Sequence, residues 1–394
     1  MTMSHLIYAD HSATTPLSEA AFNAMLPWLR EGYGNPSSIY GIGRDAHAAL
    51  ENARAQVAGV LNAKPSEIIF TGCGSEADNM ALRGIAHARR SRGNHIISTA
   101  IEHHAMLHTL DALKKEGFEV TLLQPDSEGF ISPADVEAAI RPETILISVM
   151  AANNEIGTIE PIAEIGAIAE AHRIPFHTDA VQAFGHIPLD VRAMHISALS
   201  LSAHKLGGPK GVGALYLKNG LAAEPVIYGG GQERGRRGGT ENVAGIVGLG
   251  AAAVEAAASM DAEAARLSVL RDRLIRELLT VPYSRLTGPR ENRLPGHASF
   301  CFEAVEGEAL VLTLDMLGAA ASSGSACSSG SLDPSHVLMA IGLPHEVAHG
   351  SLRLTLGPDN TEEDVEALIG IVRKAVERLR AMSPLWDDMQ KNRI

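Results

Sequence analysis

Thr144-Ile-Leu-Ile-Ser-Val-Met150, then Ile162 to Ala171, then Ile174-Pro-Phe-His-Thr178 is the passage that decides the fold. A continuously apolar run gives way to a stretch with 3.6-residue periodicity, and a second apolar run follows. Unbroken apolar strands are expected where helices cover both faces of a parallel sheet. The alternation recurs on either side, in the strand-like runs Ile68-Ile-Phe-Thr71, His95-Ile-Ile-Ser-Thr99, Ile196-Ser-Ala-Leu-Ser-Leu201 and Val212-Gly-Ala-Leu-Tyr-Leu217. Helical periodicity fills most of the gaps, as in Ala105 to Glu116. The pattern is that of an α/β domain, whose ligand belongs beyond the carboxyl ends of the strands. From Asn242 to about Thr280 the chain is rich in Ala, Leu and Glu and reads as one or two long helices leading out of the sheet. Short strands and helices resume after Pro282, so a boundary falls near residue 255.

The 394 residues are 45% hydrophobic and 20% charged, an ordinary globular composition. A net charge of −13 repels phosphate backbones, and the densest basic cluster, Arg234-Gly-Arg-Arg237, is short, so direct binding of nucleic acid is not expected. Met1 to Asp10 lacks the basic start and apolar run of a signal peptide, and Glu255 interrupts the alanine-rich stretch near 250, so no membrane span is expected. Cys73, Cys301 and Cys327 form no Cys-x-x-Cys pair, which argues against a disulfide framework or structural zinc and fits a reducing cytoplasm.

Lysine is scarce, with eight in the chain, and Lys205 alone follows directly from a buried-looking strand, in Leu199-Ser-Leu-Ser-Ala-His-Lys-Leu-Gly-Gly208. Most lysines in turns are surface residues. One forced toward an apolar cleft loses its charge readily and can form a Schiff base with an aldehyde cofactor such as pyridoxal phosphate (PLP). Lys210 is the reserve candidate. Asp179 ends a similar strand; it is either a strand-end cap or the acid that pairs with a pyridinium nitrogen. Thr71-Gly-Cys-Gly-Ser-Glu76 sets Gly74 and Ser75 at a helix N-terminus, where free amides and the helix dipole favour an anion. The turn lacks the Gly-x-Gly-x-x-Gly and Gly-Lys-Ser/Thr patterns of nucleotide sites. His104 and His108 lie four apart as in zinc hydrolases, but Glu102 lies outside the pair rather than between its members, so no metal is expected. His103, at the end of the preceding strand, is better placed to stack on a cofactor ring. Cys301 reads as a buried strand residue. Cys327 lies in Ala321-Ser-Ser-Gly-Ser-Ala-Cys-Ser-Ser-Gly-Ser331, too small and polar to pack a core, and an exposed thiol is where thiolate reactivity is expected.

Taken together, the chain resembles the PLP-dependent cysteine desulfurases of the NifS/IscS type, in the class V aminotransferase family. The resemblance runs nearly end to end. It rests on Tyr8-Ala-Asp-His-Ser-Ala-Thr-Thr15, Gly34-Asn-Pro-Ser-Ser38, the Thr71 to Asn79 turn, Asn153-Asn-Glu-Ile-Gly157 and His177-Thr-Asp-Ala-Val-Gln182. It continues through Ser202-Ala-His-Lys205, Arg236-Arg-Gly-Gly-Thr-Glu-Asn242, Ser323-Gly-Ser-Ala-Cys-Ser-Ser329 and Ser351-Leu-Arg353. Asn292-Arg-Leu-Pro295 and Glu306-Gly-Glu-Ala309 favour the NifS branch. Asp-His-Ser at 10 to 12 departs from that branch's Asp-Asn-Asn, and Ser75 stands where threonine is usual.

The resemblance implies a PLP-transferase fold of type I. Its large α/β domain (16–255) has a mainly parallel sheet flanked by helices, and its smaller α/β domain is formed by 1–15 and 256–394. It implies that Lys205 holds PLP, Asp179 pairs with the ring nitrogen, His103 stacks on the ring and Gln182 bonds the phenolic oxygen. Gly74, Ser75, Ser202 and His204 would hold the phosphate, joined by Thr240 from the other subunit of a homodimer. Arg353, with Asn35 and Asn154, would grip the carboxylate of L-cysteine. Lys205 would take the α-proton and Cys327 would attack the substrate sulfur, so that alanine leaves and a persulfide remains. An iron–sulfur scaffold protein or another acceptor would receive the sulfur. A selenocysteine lyase or an aminotransferase on the same scaffold is the alternative reading.

Overall fold

The computed structural model describes residues 6–324 and 334–391. Its strands, in chain order, are β1 (Ile7–Tyr8), β2 (Ile68–Thr71), β3 (His95–Thr99), β4 (Glu119–Leu123), β5 (Thr144–Ser148), β6 (Phe176–Asp179), β7 (Ala198–Ser202), β8 (Gly213–Leu217), β9 (Ser284–Leu286), β10 (His297–Phe302), β11 (Ala319–Ala320) and β12 (Ser351–Thr355). Seven of them build one sheet in the order β2-β8-β7-β6-β5-β3-β4. The pairs from β7 to β4 are parallel, and only β8 runs against its two neighbours.

Period-two alternation explains why these runs are apolar throughout. Ile68 and Phe70 enter one core while Ile69 enters another, and Ile97 and Ile96 divide in the same way. One face is covered by Leu82, Ile85, Met106 and Leu110 from the helices Gly74–Ala88 and His104–Lys115. The other is covered in part by Leu50 and Val57 from Gly41–Val60 and Ile165 from Ile162–Ala171. The mainly parallel sheet with helices on both sides is the fold class the sequence implied.

A separate core, with Phe300, Phe302, Leu314, Leu352 and Leu368, lies at the antiparallel sheet β12-β10-β9. β1 pairs with β11, and single bridges set Asp10 beside Thr355 and Ser322 beside Arg353. Residues from both ends of the chain therefore meet along β12.

The stretch after Asn242 is one helix of 36 residues, Val243–Leu278. Asn242 Oδ1 caps it by accepting from Gly245 N (3.1 Å). Against the sequence expectation, an 18-residue window of this helix has a mean hydropathy of 1.7, long and apolar enough by length and composition to cross a membrane. Its buried residues instead serve both cores, with Ile246, Leu249 and Ala252 in one and Leu267, Leu270 and Leu274 in the other.

Candidate active site

β2, β3, β5, β6 and β7 all end at the same edge of the large sheet, and the residues just beyond them converge there. β7 closes in a short turn, Ala203–Lys205, that brings Lys205 to the edge. Lys205 Nζ donates to the carbonyl oxygens of Ser12 and Ala13 (2.9 Å to the latter). Gln182 Nε2 donates to the same Ser12 carbonyl at 3.0 Å. His204 Nδ1 meets Thr14 Oγ1 at 3.1 Å, and burial pushes its imidazole down to about 4, with Lys205 adding to the effect.

Asp179 is the last residue of β6. Burial pushes its carboxyl up to about 6, opposed by the bond from Val181 N (2.9 Å) and by the charge on Lys205. Two further acids lie buried nearby. Asp78 and Glu102 are pushed well up, first by burial and then by the charge on Asp179. His177, between Ser148 Oγ (2.8 Å) and Ser200 Oγ (3.0 Å), is pushed down to about 3 and stays neutral. Three buried acids around one edge are costly unless positive charge meets them, which is the setting a pyridinium nitrogen fits.

The phosphate turn fits as well. Gly74 opens the helix Gly74–Ala88, and Cys73 Sγ caps it by accepting from Glu76 N (3.4 Å). A Cβ on Gly74 would come within 2.7 Å of Val181 Cγ2 and 3.3 Å of Ser202 Cβ, so only glycine lets the turn sit this close to β7. Ser202 Oγ is buried with no partner among the described residues, and Ser75 is exposed at the helix start. Arg237 braces the turn from outside through Glu76 (2.8 Å), whose other oxygen accepts from Gly72 N (2.8 Å). A free hydroxyl beside unpaired amides at a helix N-terminus suits a phosphate dianion.

His103 is not part of β3, which ends at Thr99. It caps the helix His104–Lys115, with Nδ1 accepting from Ala105 N (3.1 Å). Burial and then the charge on Lys205 push it down to about 4, so its ring is neutral and able to stack. His104 and His108 stack on each other at 5.2 Å, and among the described residues no group of three or more His, Cys, Asp or Glu could hold a metal ion. Cys301 is buried, and burial pushes its thiol up to about 12.

Arg353 sits in β12, nearly fully buried. Its Nη2 bonds Asp10 Oδ1 (2.9 Å), and its Nη1 bonds the carbonyl oxygen of Asn154 (3.0 Å). The second Asp10 oxygen accepts from Ser322 Oγ (2.7 Å). Asn154 thus holds Arg353 through its backbone. Asn35 is exposed, with Oδ1 accepting from Ser37 N (2.9 Å), and Thr240 is exposed three residues after Arg237. Among the described residues neither Asn35 nor Thr240 is bonded to the sheet-edge group. Cys327 lies outside the described residues.

The sequence reading missed Asp10, the Ser12 and Ala13 carbonyls, Asp78, Glu102 and Glu155. Asp10 and Glu155 lie inside motifs that were legible. Their side-chain partners Arg353, Ser322 and Ser335 are 180 or more residues away in sequence, so no local spacing could reveal the pairing.

The profile of the family described as "Aminotransferase class-V" matches residues 7–368. The chain is 55% identical over 394 residues to "Cysteine desulfurase IscS" of Clostridium botulinum (strain Hall), covering 99% of each chain. It is 53% identical over 384 residues to "Cysteine desulfurase IscS" of Methanosarcina thermophila, covering 98% of this chain and 95% of that one. A solved "NIFS-LIKE PROTEIN" superposes with a TM-score of 0.89 at 36% identity, covering 94% of this chain and 99% of that one. The chain belongs to the class V aminotransferase family.

Proposed function

We propose that this member of the family is a cysteine desulfurase that works with PLP, converting L-cysteine to L-alanine and leaving the sulfur as a persulfide on Cys327. The relatives named for that activity, 55% and 53% identical over nearly the whole chain, support it. The structural observation that carries it is that Ser322, five residues before Cys327, bonds the same Asp10 carboxylate that holds Arg353. The segment bearing the sulfur acceptor thus departs from the group that receives the substrate carboxylate.

When bound, PLP supplies an electron sink that acidifies the substrate α-proton. In this reading Lys205 and Asp179 would hold it at the aldehyde carbon and the ring nitrogen, with His103 stacking on the ring and Gln182 bonding the phenolic oxygen. Gly74, Ser75, Ser202 and His204 would hold its phosphate, joined by Thr240 from a second copy in a homodimer. Arg353, helped by Asn35 and Asn154, orients the substrate through paired N–H donors to its carboxylate. Lys205 Nζ takes the α-proton. The Cys327 thiolate attacks the substrate sulfur, an S–S bond forms and the C–S bond breaks. The electron pair of that bond stays with the carbon, which takes up a proton. Cysteine plus enzyme thiol becomes alanine plus enzyme persulfide, with no outside oxidant.

We assign cofactor binding to residues 16–255, and the cysteine segment to the smaller unit formed by 1–15 and 256–394. The sulfur acceptor we assign is an iron–sulfur scaffold protein of the cytoplasm. The deciding experiment incubates the PLP-loaded protein with L-cysteine and follows alanine, keto acid and the mass of Cys327. Alanine together with a persulfide on Cys327 supports the reading. Keto acid would turn it into an aminotransferase, and equal alanine release from Cys327→Ser into a lyase that expels sulfide directly.

A further inference from the structure

One flank of the segment 325–333 is bonded to a buried carboxylate, Glu155, and the other lies beside it. Gly324 lies against Glu155: a Cβ at Gly324 would come within 3.1 Å of Glu155 Oε2. Gly324 N donates to Ser351 Oγ at 3.2 Å. On the far side, Ser335 Oγ donates to the same Glu155 oxygen. The direction of that bond is forced. Ser335 caps the helix His336–Ala340, its oxygen accepting from Val337 N (3.1 Å) and Leu338 N (3.2 Å). A hydroxyl has two lone pairs and one proton, so with both lone pairs used the proton goes to Glu155. At that position residue 155 must present an acceptor.

Glu155 is itself firmly seated. Asn153 Oδ1 accepts from Glu155 N (2.8 Å) and Ile156 N (3.0 Å), and Asn153 Nδ2 donates to the carbonyl oxygen of Ile101 (2.9 Å). The intervening residue, Asn154, supplies the carbonyl that holds Arg353. One short turn therefore carries an acceptor for the substrate-binding arginine and the anchor for the far flank of 325–333. The carboxyl is buried, and burial pushes it up to about 7, opposed by the bond from Ser335 and by the charge on Arg353.

We propose that Glu155 is a positioning residue for sulfur transfer: through Ser335 it fixes the far flank of the Cys327 segment relative to Arg353. The proposal rests on the desulfurase reading above. Misplacing a reacting group by about 1 Å costs roughly 100-fold in rate, so a lost anchor is expected to lower transfer without lowering substrate affinity.

The test compares PLP-loaded wild type with Glu155→Gln, Glu155→Ala, Ser335→Ala and the double alanine variant. Cysteine affinity is read from the change in the cofactor's visible absorbance. Transfer is read as single-turnover alanine release and persulfide mass on Cys327. Glu155→Ala and Ser335→Ala are expected to slow transfer by about 10- to 100-fold while cysteine affinity stays within about twofold. Glu155→Gln, whose amide oxygen accepts the same bond, is expected to keep transfer close to wild type. The double variant is expected to be no slower than the worse single one, because both break one interaction. Wild-type transfer in Glu155→Ala overturns the proposal, as does a loss explained wholly by weaker cysteine binding. If Glu155→Ala does not fold, Ser335→Ala, which leaves the carboxyl in place, decides the matter alone. A wild type that forms no persulfide on Cys327 sinks the desulfurase reading itself, a failure distinct from any result with the variants.

Discussion

At the edge of the large sheet, Asp78, Glu102 and Asp179 are buried, and burial dominates the upward push on all three carboxyls. Along the small sheet, Arg353 already has a carboxylate at 2.9 Å in Asp10, and Asp10 has a second donor in Ser322. The first region carries more buried acid than its own cation, Lys205, offsets; the second is balanced within the chain. The large-sheet edge is thus suited to a cationic ring that binds and stays. The small-sheet edge is suited to a visiting carboxylate, for which Arg353 Nε, buried and without a partner among the described residues, is an available donor beside the Asp10 pair.

The largest expected effect tests the first region. Lys205→Ala should lower alanine release by about a thousandfold and remove the cofactor's visible absorbance, since in the proposed mechanism Lys205 is both the attachment point and the base. Borohydride fixation of the cofactor to Lys210 in the wild type would move the assignment. Next, Cys327→Ser should leave cofactor binding and the cysteine-induced spectral change intact, yet lower alanine release by about 100-fold, because a hydroxyl is a far weaker nucleophile toward sulfur than a thiolate.

The second region is tested by Asp10→Ala, which leaves the buried guanidinium without its carboxylate. A loss of about 3 kcal/mol in urea unfolding is expected, as for other buried pairs broken on one side. A loss below about 1 kcal/mol would mean that the pair behaves like an exposed one and the regions do not differ as argued.

The smallest effect comes from a control outside both regions. Glu160 is buried, accepts from Ile131 N (2.9 Å), and is pushed by burial up to about 8. Its folded-state value lies above the unfolded one, so folding takes up a proton. Its contribution to stability is full below about 4.5 and is lost as pH rises through about 8. Glu160→Gln should flatten that decline by about 2 kcal/mol between pH 5 and pH 9, measured by urea unfolding across the range. An unchanged pH profile would show that burial alone does not perturb acids in this chain, and the account of Asp179 would weaken with it.

Much of the first region could be read from sequence because parallel strands write themselves as apolar runs. Ile68–Thr71, His95–Thr99 and the helix Ile162–Ala171 have the limits the pattern gave. Lys205 and Asp179 stand out because charge at the end of such a run is unusual. β4 was missed: it pairs only with β3, its residues are half-buried or exposed, and it carries no strong alternation. The reversed direction of β8 was not legible either, because an apolar run looks the same in both directions. The second region was legible only as separate motifs. Asp10 and Arg353 are 343 residues apart, and their pairing arises from the small sheet that gathers both ends of the chain.

The helix Val243–Leu278 is about 54 Å long at 1.5 Å per residue, and it is embedded at its two ends. Between Val254 and Arg266 no residue is fully buried. Each end is protected by its own core, while the middle is held by less: Ala256 packs against one core, and Arg266 donates to the carbonyl oxygens of Gly357, Pro358 and Asn360. Amide hydrogens from about 258 to 265 should therefore exchange with deuterium well before those at either end. The rod that joins the two cores would then also be the place where one of them can open while the other stays folded.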